Sequence, residues 1–187
     1  MKAEKQMEHK PCLDKCAFQH IKTLRNGSTF KDRKDFLAQQ EESLMKIYNL
    51  AKEKKIQFFT SAITESETLP FDKDNQSKVN ESYSLFKEMN LIFLETSFML
   101  DDPLSRMGYE HHVLGDQGER DDLKRELLSI GVSHADMRHI ANAESRDCTH
   151  FITTDNRLIE TIGKKSLNLK IKVVSPKEYV DNMVFDS

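Results

Sequence analysis

The C-terminal third of the chain constrains the fold most. Residues 133–147 repeat apolar side chains at helical spacing, 150–154 (HFITT) form a β-branched run of strand length, and 156–162 are helical again, closed by Gly163. Residues 169–175 (LKIKVVS) begin with the polar–apolar alternation of a strand. PKEYVDNM then opens a last short helix with proline at its first position, where the missing N–H costs nothing. Helix, strand, helix, strand, helix in about fifty residues is the rhythm of a parallel sheet whose strands are joined by helices. The expected fold is α/β: a helix-rich, three-layer α/β/α domain around a central parallel sheet of four or five strands.

The preceding residues fit that frame. Residues 33–54 read as one helix, with Phe36, Leu37, Leu44, Ile47, Tyr48 and Ala51 at near-helical spacing and no Gly or Pro among them. IQFFTS (56–61) has strand character, and 76–90 are helical through Val79, Tyr83, Leu85, Phe86 and Met89. Residues 101–120 hold one Pro and three Gly and read as loop, followed by a helix at 121–130 that Gly131 closes. A length of 187 residues suits a single domain spanning 1–187, with room for a modest insertion.

Composition excludes several classes. The best apolar run, residues 91–100, is broken by Glu95 and is far short of the roughly 20 residues that span a bilayer. The opening MKAEKQMEHK has no apolar stretch of signal-peptide type, so a cytoplasmic protein with no membrane association is expected. Three cysteines, Cys12, Cys16 and Cys148, suit a reducing compartment better than a disulfide framework. Cys12 and Cys16 lack a second Cys/His pair at zinc spacing and read as small buried thiols. There is no glycine-rich phosphate loop, which removes support for nucleoside-triphosphate hydrolysis. Residues 1–60 carry 13 Lys/Arg against 8 acids, whereas 61–147 carry 9 against 18. That acidic middle suits a nucleic-acid binder only where cations neutralise part of it.

The acids themselves carry the chemistry. Asp136 shares a helix stripe with Ile140 and Ala143, while Arg138, Asn142 and Arg146 take the opposite, solvated face. An inward carboxylate is costly unless it is paired or bound to a metal. Ser133-His-Ala-Asp136 equally fits a capping box. Asp155 ends HFITT and opens the next helix, which makes it an N-cap, a ligand at a strand's carboxyl end, or both. Glu67 follows IQFFTS in the same way, within another capping-box pattern that starts at Thr64, and Asp14 lies in PCLDKCAF near the N-terminus.

At this point the chain resembles a known family. HADMRHIANAESRDCTHFITTDNRLI is similar to the C-terminal signature of PIN domains: a helical Asp followed by Ile-Ala and Ala, then a strand ending in Thr-x-Asp. Asp136, Ile140, Ala141, Ala143, Thr153 and Asp155 match those positions in order. TSAITESETL resembles the segment after the family's second strand, with Glu67 as the acid and Glu65 as the fallback, and CLDKCAF resembles the opening strand with its Leu-Asp. The long interval before Asp136 implies a helical or loop insertion within 70–120.

The resemblance implies a metal-dependent endoribonuclease. Asp14, Glu67, Asp136 and Asp155 would gather as hard oxygen donors for Mg²⁺ or Mn²⁺, with Glu67 a ligand or a water-orienting base. Thr153 would orient a carboxylate or bind phosphate, and Asn156 would steady a ligand. RNA is then the substrate. The partners it implies are an antitoxin-like inhibitor, as for PIN toxins of toxin–antitoxin pairs, or a second copy of the chain. The alternative is a PIN-like RNA- or protein-binding module without catalysis. His111 and His112 read as exposed loop residues, and His139 as a surface or half-buried imidazole.

Overall fold

The computed structural model describes residues 9–31, 35–61, 64, 76–94, 120–165 and 167–183. Five short strands form one parallel sheet: β1 (Pro11–Leu13), β2 (Phe59–Ser61), β3 (Ile92–Leu94), β4 (His150–Ile152) and β5 (Lys172–Val174), in the order β3-β2-β1-β4-β5. The register aligns their carboxyl ends, pairing Leu13 with Ile152, Ser61 with Leu94 and Ile152 with Val174. Seven described helices flank the sheet: α1 (Lys15–Arg25), α2 (Phe36–Lys52), α3 (Gln76–Glu88), α4 (Asp121–Ser129), α5 (His134–Ser145), α6 (Asn156–Gly163) and α7 (Pro176–Asp181). Among the described residues no helix is long and apolar enough to cross a membrane.

The two faces of the sheet follow from strand alternation. Leu13, Ile152 and Val174 pack with Phe18 and Ile21 of α1, Leu44 and Ile47 of α2, Leu85 and Phe86 of α3, and Tyr179 and Val180 of α7. Their strand neighbours Cys12 and Phe151 face the other way, onto Leu123 and Leu127 of α4, Met137 and Ile140 of α5, and Leu158 and Ile162 of α6. Three layers result. The chain runs outward from β1 through β2 to β3 with α1, α2 and α3 on one face, then returns to β4 and β5 with α4, α5 and α6 on the other, and α7 closes over the first face. Crossovers of one hand require that division. Strand order therefore reverses between β1 and β4, the kind of crevice in which open α/β sheets bind ligands.

Local chemistry explains most of the boundaries. Asp35, Ser133, Asp155 and Ser175 each accept a backbone N–H at a helix start, and Pro176 occupies the first helical position of α7 as the sequence predicts. Gly131 follows α4 with φ +90°, the left-handed geometry that favours glycine. Several expectations change. Strands expected over 56–61, 150–154 and 169–175 shrink to three residues each. Gly163 lies in the last turn of α6 and is not a terminating residue, since Lys164 holds the C-cap. The helix expected to run to 147 stops at Ser145, and Asp147 takes a left-handed φ of 57°. Helix α1 and strand β3 have no counterpart in the sequence reading. The interval read as an insertion contributes α3 and the edge strand β3 to this same sheet.

Candidate active site at the carboxyl ends of β1 and β4

Asp14 is the first residue past β1, and its N–H extends the ladder by bonding Ile152 O at 3.0 Å. Its side chain then turns to cap α1 and is only 2% exposed. One carboxylate oxygen accepts from the Lys15 N–H at 2.7 Å and the other from the Thr153 hydroxyl at 2.7 Å. Thr153, the first residue past β4 and fully buried, also accepts from the Asp155 N–H at 3.1 Å. One hydroxyl thus fixes both Asp14 and the backbone that carries Asp155. Burial pushes the Asp14 carboxyl above its ordinary pKa, and Asp136 adds to that. The Thr153 hydroxyl, the facing His139 and the Lys15 N–H oppose the rise.

Asp155 and Asp136 sit at two further helix N-termini. Asp155 accepts from the Leu158 N–H at 3.0 Å with Oδ1. Asp136 donates its N–H to the Ser133 hydroxyl at 3.1 Å and accepts that hydroxyl's proton on Oδ2 at 2.6 Å. The capping role read for Asp136 is therefore present, through the Ser133 side chain in both directions. It does not draw the carboxylate away from Asp14, whose ionisation it opposes.

A residue that the sequence reading set aside lies within the fields of all three acids. Cys16 is half-buried, two residues after Asp14. Its thiol is pushed up to about 12, first by burial and then by the fields of Asp14, Asp155 and Asp136 together. Cys12 and Cys148, by contrast, are buried in the sheet face beneath α4, α5 and α6, as expected of small thiols. Among the described residues, none of the three acids has a Lys or Arg within ion-pair distance.

Helix α5 corrects the sequence reading in two places. His139 is 3% exposed and Asn142 1%, where a surface or half-buried imidazole and a solvated face were expected. The cause is that α5 is covered nearly all round. The sheet lies on one side and α4 on another, while Glu144 accepts from Arg120 and from the Lys170 N–H along a third. His139 lies three residues after Asp136, one helical turn away, and its field favours the ionised form of Asp14. His20 of α1 was missed; its Nδ1 lies 2.8 Å from the Thr154 hydroxyl.

The donor set has the right chemistry for a hard divalent cation. A carboxylate offers about four lone-pair positions, so each Asp14 oxygen keeps one after its hydrogen bond. Asp155 Oδ2 and Asp136 Oδ1 accept no hydrogen bond from the described residues. In the capping rotamers, no three His, Cys, Asp or Glu side chains among the described residues close on a common point at ligand distance. Glu67, its fallback Glu65, and His111 and His112 lie outside the described residues. No family model and no curated protein matches this chain.

Proposed function

We propose that this chain is a PIN-like endoribonuclease that hydrolyses RNA phosphodiester bonds with Mg²⁺ or Mn²⁺ held between the carboxyl ends of β1 and β4. One observation carries the reading. Asp14 and Thr153 lie just past the aligned carboxyl ends of β1 and β4, bonded to each other, with Asp155 two residues on, at the switch point of a parallel sheet, and the charge of Asp136 opposes the ionisation of Asp14. Uncompensated carboxylates are costly in a partly buried site, and oxygen-ligating divalent cations relieve that cost.

Asp14, Asp136 and Asp155 would hold the cation, and Glu67 would complete the set if it joins them. Bound there, Mg²⁺ or Mn²⁺ supplies Lewis acidity at the phosphoryl group and a more acidic attacking water. The protein's own part is positional. Thr153 sets the Asp14 rotamer and the Asp155 backbone together, so two ligands move as one unit. An inhibitor protein of antitoxin type would act by covering this end of the sheet.

The second reading is a PIN-like binding module without catalysis. The observation in its favour is that Asp14 and Asp155 are engaged as helix caps and Asp136 accepts from the hydroxyl of the N-cap Ser133, with no ready-made ligand group among the described residues. Incubating the purified protein with mixed RNAs, with Mn²⁺ and with EDTA, separates the two. Metal-dependent cleavage is the expected result. Absence of cleavage with every RNA, alongside retained RNA binding, would favour the module.

A further inference from the structure

We infer that His20 is a positioning residue of this site, tethering the β4–α6 connection through Thr154 so that Asp155 is presented to a divalent cation. The inference rests on the carboxylate–metal reading above.

The connection from β4 to α6 is three residues long, Thr153 to Asp155, and is held from several directions. The Thr153 N–H bonds Val174 O at 3.0 Å, joining it to β5, and its hydroxyl ties it to Asp14 and to the Asp155 N–H. Those contacts fix the first residue and the backbone of the third. The middle residue, Thr154, is 8% exposed, and its hydroxyl lies 2.8 Å from His20 Nδ1. The His20 ring is itself held edge-on against Phe30, with centroids 5.4 Å apart, and Phe30 is 7% exposed. Helix α1 therefore grips the connection at both ends of its first turn and a half, through Asp14 and through His20.

A tether at this place acts on function more than on the core. The φ and ψ angles of Thr154 set the direction in which the Asp155 Cα–Cβ bond leaves the chain. Releasing Thr154 widens the range of carboxylate positions while leaving the Asp155 cap on Leu158 N–H available. Partners that orient ligands from outside the metal's own shell typically contribute 10–100-fold in metal affinity. A His-to-Thr contact whose role was only to pack α1 against the loop would change stability without changing that affinity.

The test is calorimetric titration of Mn²⁺ into wild type, His20→Gln and His20→Asn, with thermal unfolding of each metal-free protein. Asn places its amide about where Nδ1 lies and should bind Mn²⁺ nearly as wild type does. Gln keeps a polar group near Nε2 and withdraws the one facing Thr154. It should bind about 10-fold more weakly even where its metal-free melting temperature is close to that of wild type. His20→Ala should fall with Gln. Equal affinity in Gln and wild type overturns the inference while leaving the metal site standing. A wild type that binds no Mn²⁺ overturns the metal reading and this inference with it.

Discussion

Thr153→Val removes one hydroxyl from a fully buried position without changing its shape, and it should be among the most damaging conservative changes in the chain. The hydroxyl donates to a buried carboxylate at 2.7 Å and accepts a backbone N–H at 3.1 Å. A hydrogen bond to a charged group contributes about 1.5–3 kcal/mol, and the Asp155 N–H loses an ordinary partner worth about 0.5–1.5 kcal/mol. The added methyl returns about 1 kcal/mol of apolar burial. The net expected loss is about 1–3.5 kcal/mol. For a chain of this size that is a fall of roughly 2–14 °C in melting temperature, at about 2–4 °C per kcal/mol. A threonine hydroxyl that mattered to neither partner would cost under about 0.5 kcal/mol.

The assay is urea and thermal unfolding of Thr153→Val, Asp14→Asn and the double variant. Asn cannot accept from both Lys15 N–H and Thr153 with its single carbonyl oxygen, so the first change already removes part of what the second removes. The double variant should be more stable than the sum of the singles predicts, by about 1.5 kcal/mol or more. Acidity adds a second handle. The Thr153 bond favours the ionised form of Asp14, so the cost of Thr153→Val should be largest where Asp14 is charged and should shrink as pH falls through its titration. Strict additivity within about 0.5 kcal/mol, with no pH dependence, would refute the coupling.

Three other perturbations test separate parts of the structure. Asp136→Asn and Asp155→Asn should each abolish the rise in melting temperature that Mn²⁺ gives, with metal-free stability changed by less than about 1 kcal/mol, because Asn caps nearly as well as Asp at 155 and the Ser133 cap survives the change at 136; variants that keep the wild-type rise would defeat the metal reading. Glu88 ties α1, α2 and α3 together by accepting from Tyr48 and pairing with Lys52 at 2.9 Å and Arg25 at 2.8 Å, and these partners, Tyr48 first, lower its carboxyl to about 2. Glu88→Gln should therefore lose about 1–2 kcal/mol at neutral pH, a difference present above the ordinary carboxylate range and gone as pH falls toward 2, read by urea unfolding at several pH values. His150, packed against His9 and Tyr179, is lowered to about 4, by burial first, so its contribution to stability is lost as pH falls from its ordinary 6.5 toward 4; His150→Phe should flatten that acid-side decline by on the order of 1 kcal/mol, allowing for partial exposure.

What was legible in the chain was local. Ser133 three residues before Asp136, Asp155 before an apolar helix and Pro176 after Ser175 are signals whose physics lies within one helical turn, and each is realised as a cap or a helix start. Strands of three residues offer too little alternation to announce themselves. Central strand β1 even opens with Pro11, tolerable because it is the strand's first residue. The β3 segment was read only as part of an apolar run, and α1 was passed over because mean apolarity hid Ala17, Phe18, Ile21 and Leu24 among charged neighbours. Polarity misled in the opposite sense at His139 and Asn142. A helix covered on several sides buries polar residues too, and part of that cover comes from Arg120 and Lys170, which lie 24 and 26 residues from Glu144 in sequence. The place of Cys16 among three acids depends on β1 pairing with β4, a contact that no window of sequence contains.

The capping and metal-binding readings of the three acids are not rivals once the lone pairs are counted. Each cap occupies one lone pair on one oxygen, out of about four on a carboxylate, and leaves the charge in place. The helix N-termini that Asp14 and Asp155 cap, and in whose first turn Asp136 lies, present partial positive charge, each worth about 0.3–1 kcal/mol to a nearby anion. Three carboxylates can thus stand close together without a lysine or arginine among them, and a built-in cation would have occupied the position a divalent ion needs. The caps hold the acids on rigid elements at one end of the sheet, and the helix dipoles offset part of their mutual repulsion. Existence of a cap therefore decides nothing about function. The deciding variable is charge, because Asn preserves the cap and removes the charge, so a metal site and a simple helix start respond to that one substitution in opposite ways.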